Sequence, residues 1–171
     1  MDRETALQNY REAISDKISV FRSRMGDHVM EHAKDLEALV EKAMILLGEQ
    51  MEKQEKEYVC FMYISFLKTD LLYRKYRVQF HGLNISWYLD NEPAEVYVDA
   101  EELLMPFDAL WDELTQAAQG YGVYINDYDI RNLLFEELTL IDNMICQILR
   151  YRLRDWEKKG IFDPVTRSPY W

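Results

Sequence analysis

Apolar residues recur every eleven positions through the first third of the chain. Leu7, Ile18, Val29, Val40 and Met51 form one row. Ile14, Met25, Leu36 and Leu47 form a second, and Tyr10, Phe21, His32 and Ala43 a third. Eleven residues over three turns is about 3.67 per turn, the pitch of a nearly straight α-helix. No proline interrupts the stripe, so residues 1–57 are predicted to be dominated by one helix of about 45 residues, about 70 Å long. Gly26-Asp27 offers a competing reading, a helix end followed by a cap, which would fold the segment into a hairpin broken at 26–27. The unbroken register favours the single rod. A rod of that length exceeds the width of a domain of this size, so its seam needs cover from other helices or from a second copy.

The pattern then changes. Tyr58 to Tyr73 is apolar on nearly all sides, which predicts a buried helix over 58–75, with a strand as the alternative for so short a run. Period-two alternation follows at Tyr76–Phe80, Ile85–Leu89 and Glu95–Val98, separated by Gly82-Leu83-Asn84 and Asn91-Glu92-Pro93. Residues 76–98 are therefore expected to form a hairpin or a small antiparallel sheet. Asp99 with Glu102 resembles a capping box opening a helix over 99–119, which Pro106 kinks or restarts. Asn126–Asp129 caps a long last helix over 127–159, striped by Ile130, Leu134, Leu138, Ile141, Ile145, Leu149 and Trp156. Residues 160–171 read as an irregular tail. The whole is expected to be one mainly α domain, a helical bundle with a small antiparallel β element in its middle.

Charge sharpens this picture. The 171 residues carry 20 Lys plus Arg against 31 Asp plus Glu. No Lys or Arg occurs from Val78 to Ile130, whereas that stretch holds eleven acids, equal to the whole net charge of −11. Direct nucleic-acid binding needs clustered cations and is not expected. A basic protein partner suits the segment better, with Asp90, Glu92, Glu95, Asp99, Glu102 and Asp112 as its candidate acidic face. The competing reading is a solvated face answered by Lys68, Arg74, Lys75 and Arg77. An acidic inhibitor of the immunity type is a further alternative. No apolar run reaches the roughly 20 residues of a membrane helix. Cys60 and Cys146 stand alone in apolar surroundings, which suits a reducing, cytoplasmic setting.

No motif indicates catalysis. His28 and His32, four apart on one helix, can share a metal ion, but Asp27 and Val29 flank His28 where the metalloprotease pattern requires Glu after it. Asp127-Tyr128-Asp129 opens like a calcium loop, yet Arg131, Asn132 and Leu138 occupy the later positions, so capping explains these acids better. No cofactor is implied. Aromatic residues supply the remaining candidates: Trp87, Tyr88, Tyr97 and Trp111 are expected to line an interface or a pocket for a small apolar or cationic ligand. The functional expectation is an interaction or assembly module, self-associating as a homodimer or binding a basic partner through the acidic, aromatic-rich middle. A small-molecule sensing domain is the alternative.

Overall fold

The computed structural model describes residues 2–168, including the backbone but not the side chain of Tyr88. Helix α1 spans Arg3–Glu31 and α2 spans Ala33–Lys53. They are joined through the single non-helical residue His32, with φ −90° and ψ 24°. The eleven-residue register crosses this break intact: Met25, Leu36 and Leu47 are all buried, as are Val29, Val40 and Met51. The rod is thus bent, and the bend falls at His32 rather than at Gly26, which lies inside α1. The helices meet only around their junction and do not form a hairpin.

Cover for the seam comes from within the chain. Helix α5, Pro106–Ala118, lies along α1, where Phe107 meets Phe21 edge-on with ring centroids 5.0 Å apart. The Tyr10 hydroxyl donates to the Leu114 carbonyl at 2.9 Å in the same contact. Helix α6, Asp127–Lys158, closes the other side through Arg22, which donates two 2.7 Å bonds to the buried Glu137 carboxylate. The cap expected at its start takes the form of a capping box between Asn126 and Asp129. All seven stripe residues of α6 are buried. Pro106 stands at the first position of α5, where its missing N–H costs nothing, and separates it from the short α4, Glu101–Leu104. Ala100 rather than Asp99 occupies the α4 N-cap; the Asp99 carboxylate accepts from the Glu101 N–H at 2.9 Å, and the expected box with Glu102 does not form.

Helix α2 packs on a three-stranded antiparallel sheet in the order β1-β2-β3. The strands are β1 Phe61–Phe66, β2 Arg77–Leu83 and β3 Ala94–Asp99. Strand β1 corrects the expected helix over 58–75. Within that run only the short helix α3, Lys68–Leu71, is helical. The run looked buried on all sides because both faces of β1 are apolar. Met62, Ile64 and Phe66 turn toward the core while Phe61 and Tyr63 turn outward. Ile85–Leu89, in turn, is no strand: it is a loop with a 3₁₀ turn at Trp87–Leu89 in which Ile85, Trp87 and Leu89 are exposed.

After α6 the chain turns at Gly160, φ +76°, and buries Ile161, Phe162 and Val165. Arg167 then bridges Val59 in parallel: Val59 N–H donates to Thr166 C=O at 2.9 Å and Ser168 N–H to Val59 C=O at 3.0 Å. Tyr170 and Trp171 lie outside the described residues. No helix among the described residues is long and apolar enough to cross a membrane.

Candidate functional site

Pleating divides the sheet into two unlike faces. Val78, Phe80, Val96 and Val98 enter the core with the inward residues of β1. On the outer face the register aligns Tyr63 with His81 and Glu95, and Ser65 with Gln79 and Tyr97. Gln79, Glu95 and Tyr97 tie one another down, while the buried His81 Nε2 has no hydrogen-bond partner among the described residues. Gln79 Nε2 donates to Glu95 Oε1 at 2.5 Å and to the Tyr97 hydroxyl at 2.9 Å, and that hydroxyl donates to the same Glu95 oxygen. The Arg77 guanidinium lies 5.3 Å above the Tyr97 ring and also grips Asp70 through its Nε at 2.5 Å. Tyr63 meets His81 edge-on.

At the Leu83 end of this face Phe61 stacks on Trp87, ring centroids 5.2 Å apart and planes 22° from parallel. Relative exposures of 40% for Phe61, 56% for Tyr63, 44% for Trp87 and 43% for Tyr97 show that no helix covers them. Trp87 holds φ +50°, a strained conformation for a bulky residue. Its loop is fixed by Asp90, whose carboxylate accepts from Lys56 Nζ at 2.6 Å, Asn84 N–H at 2.8 Å and Glu92 N–H at 3.1 Å.

The sequence candidates are therefore dispersed. Trp87 and Tyr97 belong to the open face. The Tyr88 side chain is outside the described structure. Trp111 sits on α5, half-buried against the core with the Arg74 guanidinium 5.4 Å above its ring. The four do not line one pocket. The acids likewise separate by partner. Asp90 is a buried ion-pair partner of Lys56 rather than a surface charge, and Asp112 is taken by Arg74 at 2.5 Å. Glu95 joins the outer-face network, and Asp99 caps Glu101. Glu102 offers its backbone carbonyl to His28 Nε2 at 2.7 Å. Glu92 is exposed beside the Asp90 loop. A single acidic face built from these residues does not form.

His28 and His32 do lie together, rings 4.3 Å apart, but His32 Nδ1 bonds the Asp35 carboxylate at 2.7 Å while His28 bonds a carbonyl. Among the described residues no group of three His, Cys, Asp or Glu side chains is placed to hold a metal ion.

A feature not foreseen from the sequence lies under the edge of β1. Met62 and Ile64 on the strand, Leu149 and Leu153 on α6, and Trp156 and Phe162 beyond them enclose a mainly apolar cavity of about 410 Å³, with Arg150 at its rim. Cys146 lines it too; burial pushes its thiol pKa up, with Asp142 adding to the effect, so it is held as a neutral thiol. The uniformly apolar run Phe61–Ile64 left no periodicity from which to find it.

No family model, no curated protein and no solved structure matches the chain.

Proposed function

We propose that the protein is an interaction module whose contact surface is the outer face of the sheet, from Tyr97 across Tyr63 to the Phe61–Trp87 stack. The observation that carries this reading is the solvent exposure of four aromatic side chains on and beside a face on which Gln79, Glu95 and Tyr97 are already bonded to one another. Rigid aromatic rings bury large areas at small entropic cost, so such a face gains more from a partner than from water. On this face the partner is met chiefly by aromatic and aliphatic contact, because Lys56 and Arg74 already neutralise Asp90 and Asp112. A homodimer has no support from the long seam, which the chain covers itself; a second copy would have to meet the sheet face instead.

The test is site-specific photocrosslinking in native lysate. A benzoylphenylalanine at Tyr63 is expected to capture a discrete partner, or a second copy, that a probe at exposed Val123 does not. Phe61→Ser should abolish the adduct. Equal adducts at both positions would defeat the reading.

A further inference from the structure

Among the described residues strand β1 has one edge paired with β2 and an outer edge that no strand pairs. Its ladder with β2 fixes which groups are which. Leu67 N–H donates to Arg77 C=O, and the register continues through Ser65 with Gln79 and Tyr63 with His81. Main-chain groups of an antiparallel strand alternate in direction, so Ser65 and Tyr63 turn theirs to β2 while Met62 and Ile64 turn theirs to the opposite edge. At the start of the strand Cys60 N–H also donates to Leu83 C=O, although Leu83 is paired in register with Phe61. Two residues opposite one make a bulge, and Val59, just before it, faces the outer edge. Val59 bonds there to Thr166 and Ser168, so this edge already accepts extended chain at its upstream end.

Downstream of that contact no described strand pairs with the outer edge of β1. An edge with unmet donors and acceptors is a template for another strand. Below it lies the 410 Å³ cavity floored by Leu149 and Leu153 of α6, large enough for an apolar side chain. Arg150 stands at its rim, exposed and without an ion pair among the described residues.

We propose that the free edge of β1 takes an extended segment of a partner protein as a fourth strand, with an apolar side chain of that segment in the cavity and a carboxylate against Arg150. The proposal rests on the interaction-module reading and names the mode of engagement. Main-chain bonds to Met62 and Ile64 would supply affinity and the cavity specificity. Continuity with the Val59–Arg167 bridge and the charge of Arg150 select an acidic, apolar-patterned peptide over a helix.

The probe is the peptide most enriched when a random dodecamer display library is panned on the full chain, synthesised with a fluorophore. Leu153→Glu and Arg150→Glu are each expected to weaken its binding roughly tenfold or more, and Val123→Glu to leave it unchanged. N-methylation of alternate peptide amides should abolish binding, and peptide addition should slow hydrogen exchange at the Met62 and Ile64 amides. The proposal is overturned if no peptide is enriched, if the N-methylated peptide binds equally, or if those two amides are already as protected in the free chain as Phe80 in the central strand. Loss of binding in Trp87→Ala with normal binding in Leu153→Glu would overturn the edge and leave the outer-face reading standing.

Discussion

Lys56 Nζ lies 2.6 Å from Asp90 Oδ2, and their side chains are only 10% and 3% exposed. The pair joins the segment after α2 to the loop that carries Trp87. Lys56→Met strands a buried carboxylate and should cost about 3–5 kcal/mol in denaturant unfolding, whereas Lys56→Met with Asp90→Leu should recover much of the loss. Burial alone would raise the Asp90 pKa, but Lys56 and the Asn84 and Glu92 N–H groups hold it below 3.8. A depressed carboxylate contributes stability that is present above the unfolded pKa and is lost as pH falls through the folded one. Acid unfolding followed below pH 4 should be less steep in Asp90→Asn than in the native chain.

Arg22 and Glu137 repeat this logic between α1 and α6. The Glu137 side chain is 2% exposed and that of Arg22 53% exposed, so the arginine remains partly hydrated. Arg22→Ala should cost about 2–3 kcal/mol, chiefly because it leaves Glu137 unpaired. The double variant Arg22→Ala, Glu137→Leu should be more stable than the single one. Calorimetry that ranks them the other way would contradict the assignment.

Gly48 anchors the tail to α2. A Cβ built there would stand 2.3 Å from the Pro164 carbonyl oxygen, a backbone atom with little freedom to retreat. Gly48→Ala is expected to destabilise by about 1–3 kcal/mol despite its better helix propensity. Limited proteolysis should show earlier cleavage within 160–168.

At the alkaline end the reporter is Tyr10. Burial first, then the nearby Asp129 charge, push its pKa up to about 12. An acid whose folded pKa is raised stays neutral in the fold after the unfolded form ionises. Its contribution is therefore constant below pH 10 and falls as pH rises from about 10 to 12. Tyr10→Phe should flatten that part of the curve while losing about 1 kcal/mol at neutral pH through its bond to Leu114.

Some of this architecture was legible along the chain. The last helix carries both its cap, Asn126 with Asp129, and an uninterrupted stripe, and it forms as expected. The register of α1 and α2 was equally plain, but the break was not, because His32 occupies a regular place in the eleven-residue pattern. Strand β1 was hidden by its own composition. Phe61 and Tyr63 are as apolar as Met62 and Ile64, so neither periodicity stands out, and only pairing with β2 decides. The site was read less well. Trp87 and Tyr97, expected to line an interface or pocket, lie exposed on and beside the sheet, whereas Trp111 on α5 packs half-buried against the core. The apparent acidic face dissolved because its cations come from outside the acidic stretch: Lys56 reaches Asp90 across 34 positions and Arg74 reaches Asp112 across 38. Arg74 was already among the cations expected to answer these acids, whereas nothing in the spacing pointed to Lys56.

The bend at His32 has a mechanical consequence. Upstream, the chain is committed to α5 and α6; downstream, it is committed to the sheet. The two layers are fastened elsewhere as well: Glu37 of α2 accepts from Trp156 Nε1 of α6 at 2.8 Å, and the Tyr76 hydroxyl donates to Asp108 of α5 at 2.6 Å. A torque on the aromatic sheet face would therefore reach the helices through several fastenings at once, of which the break at His32 is one.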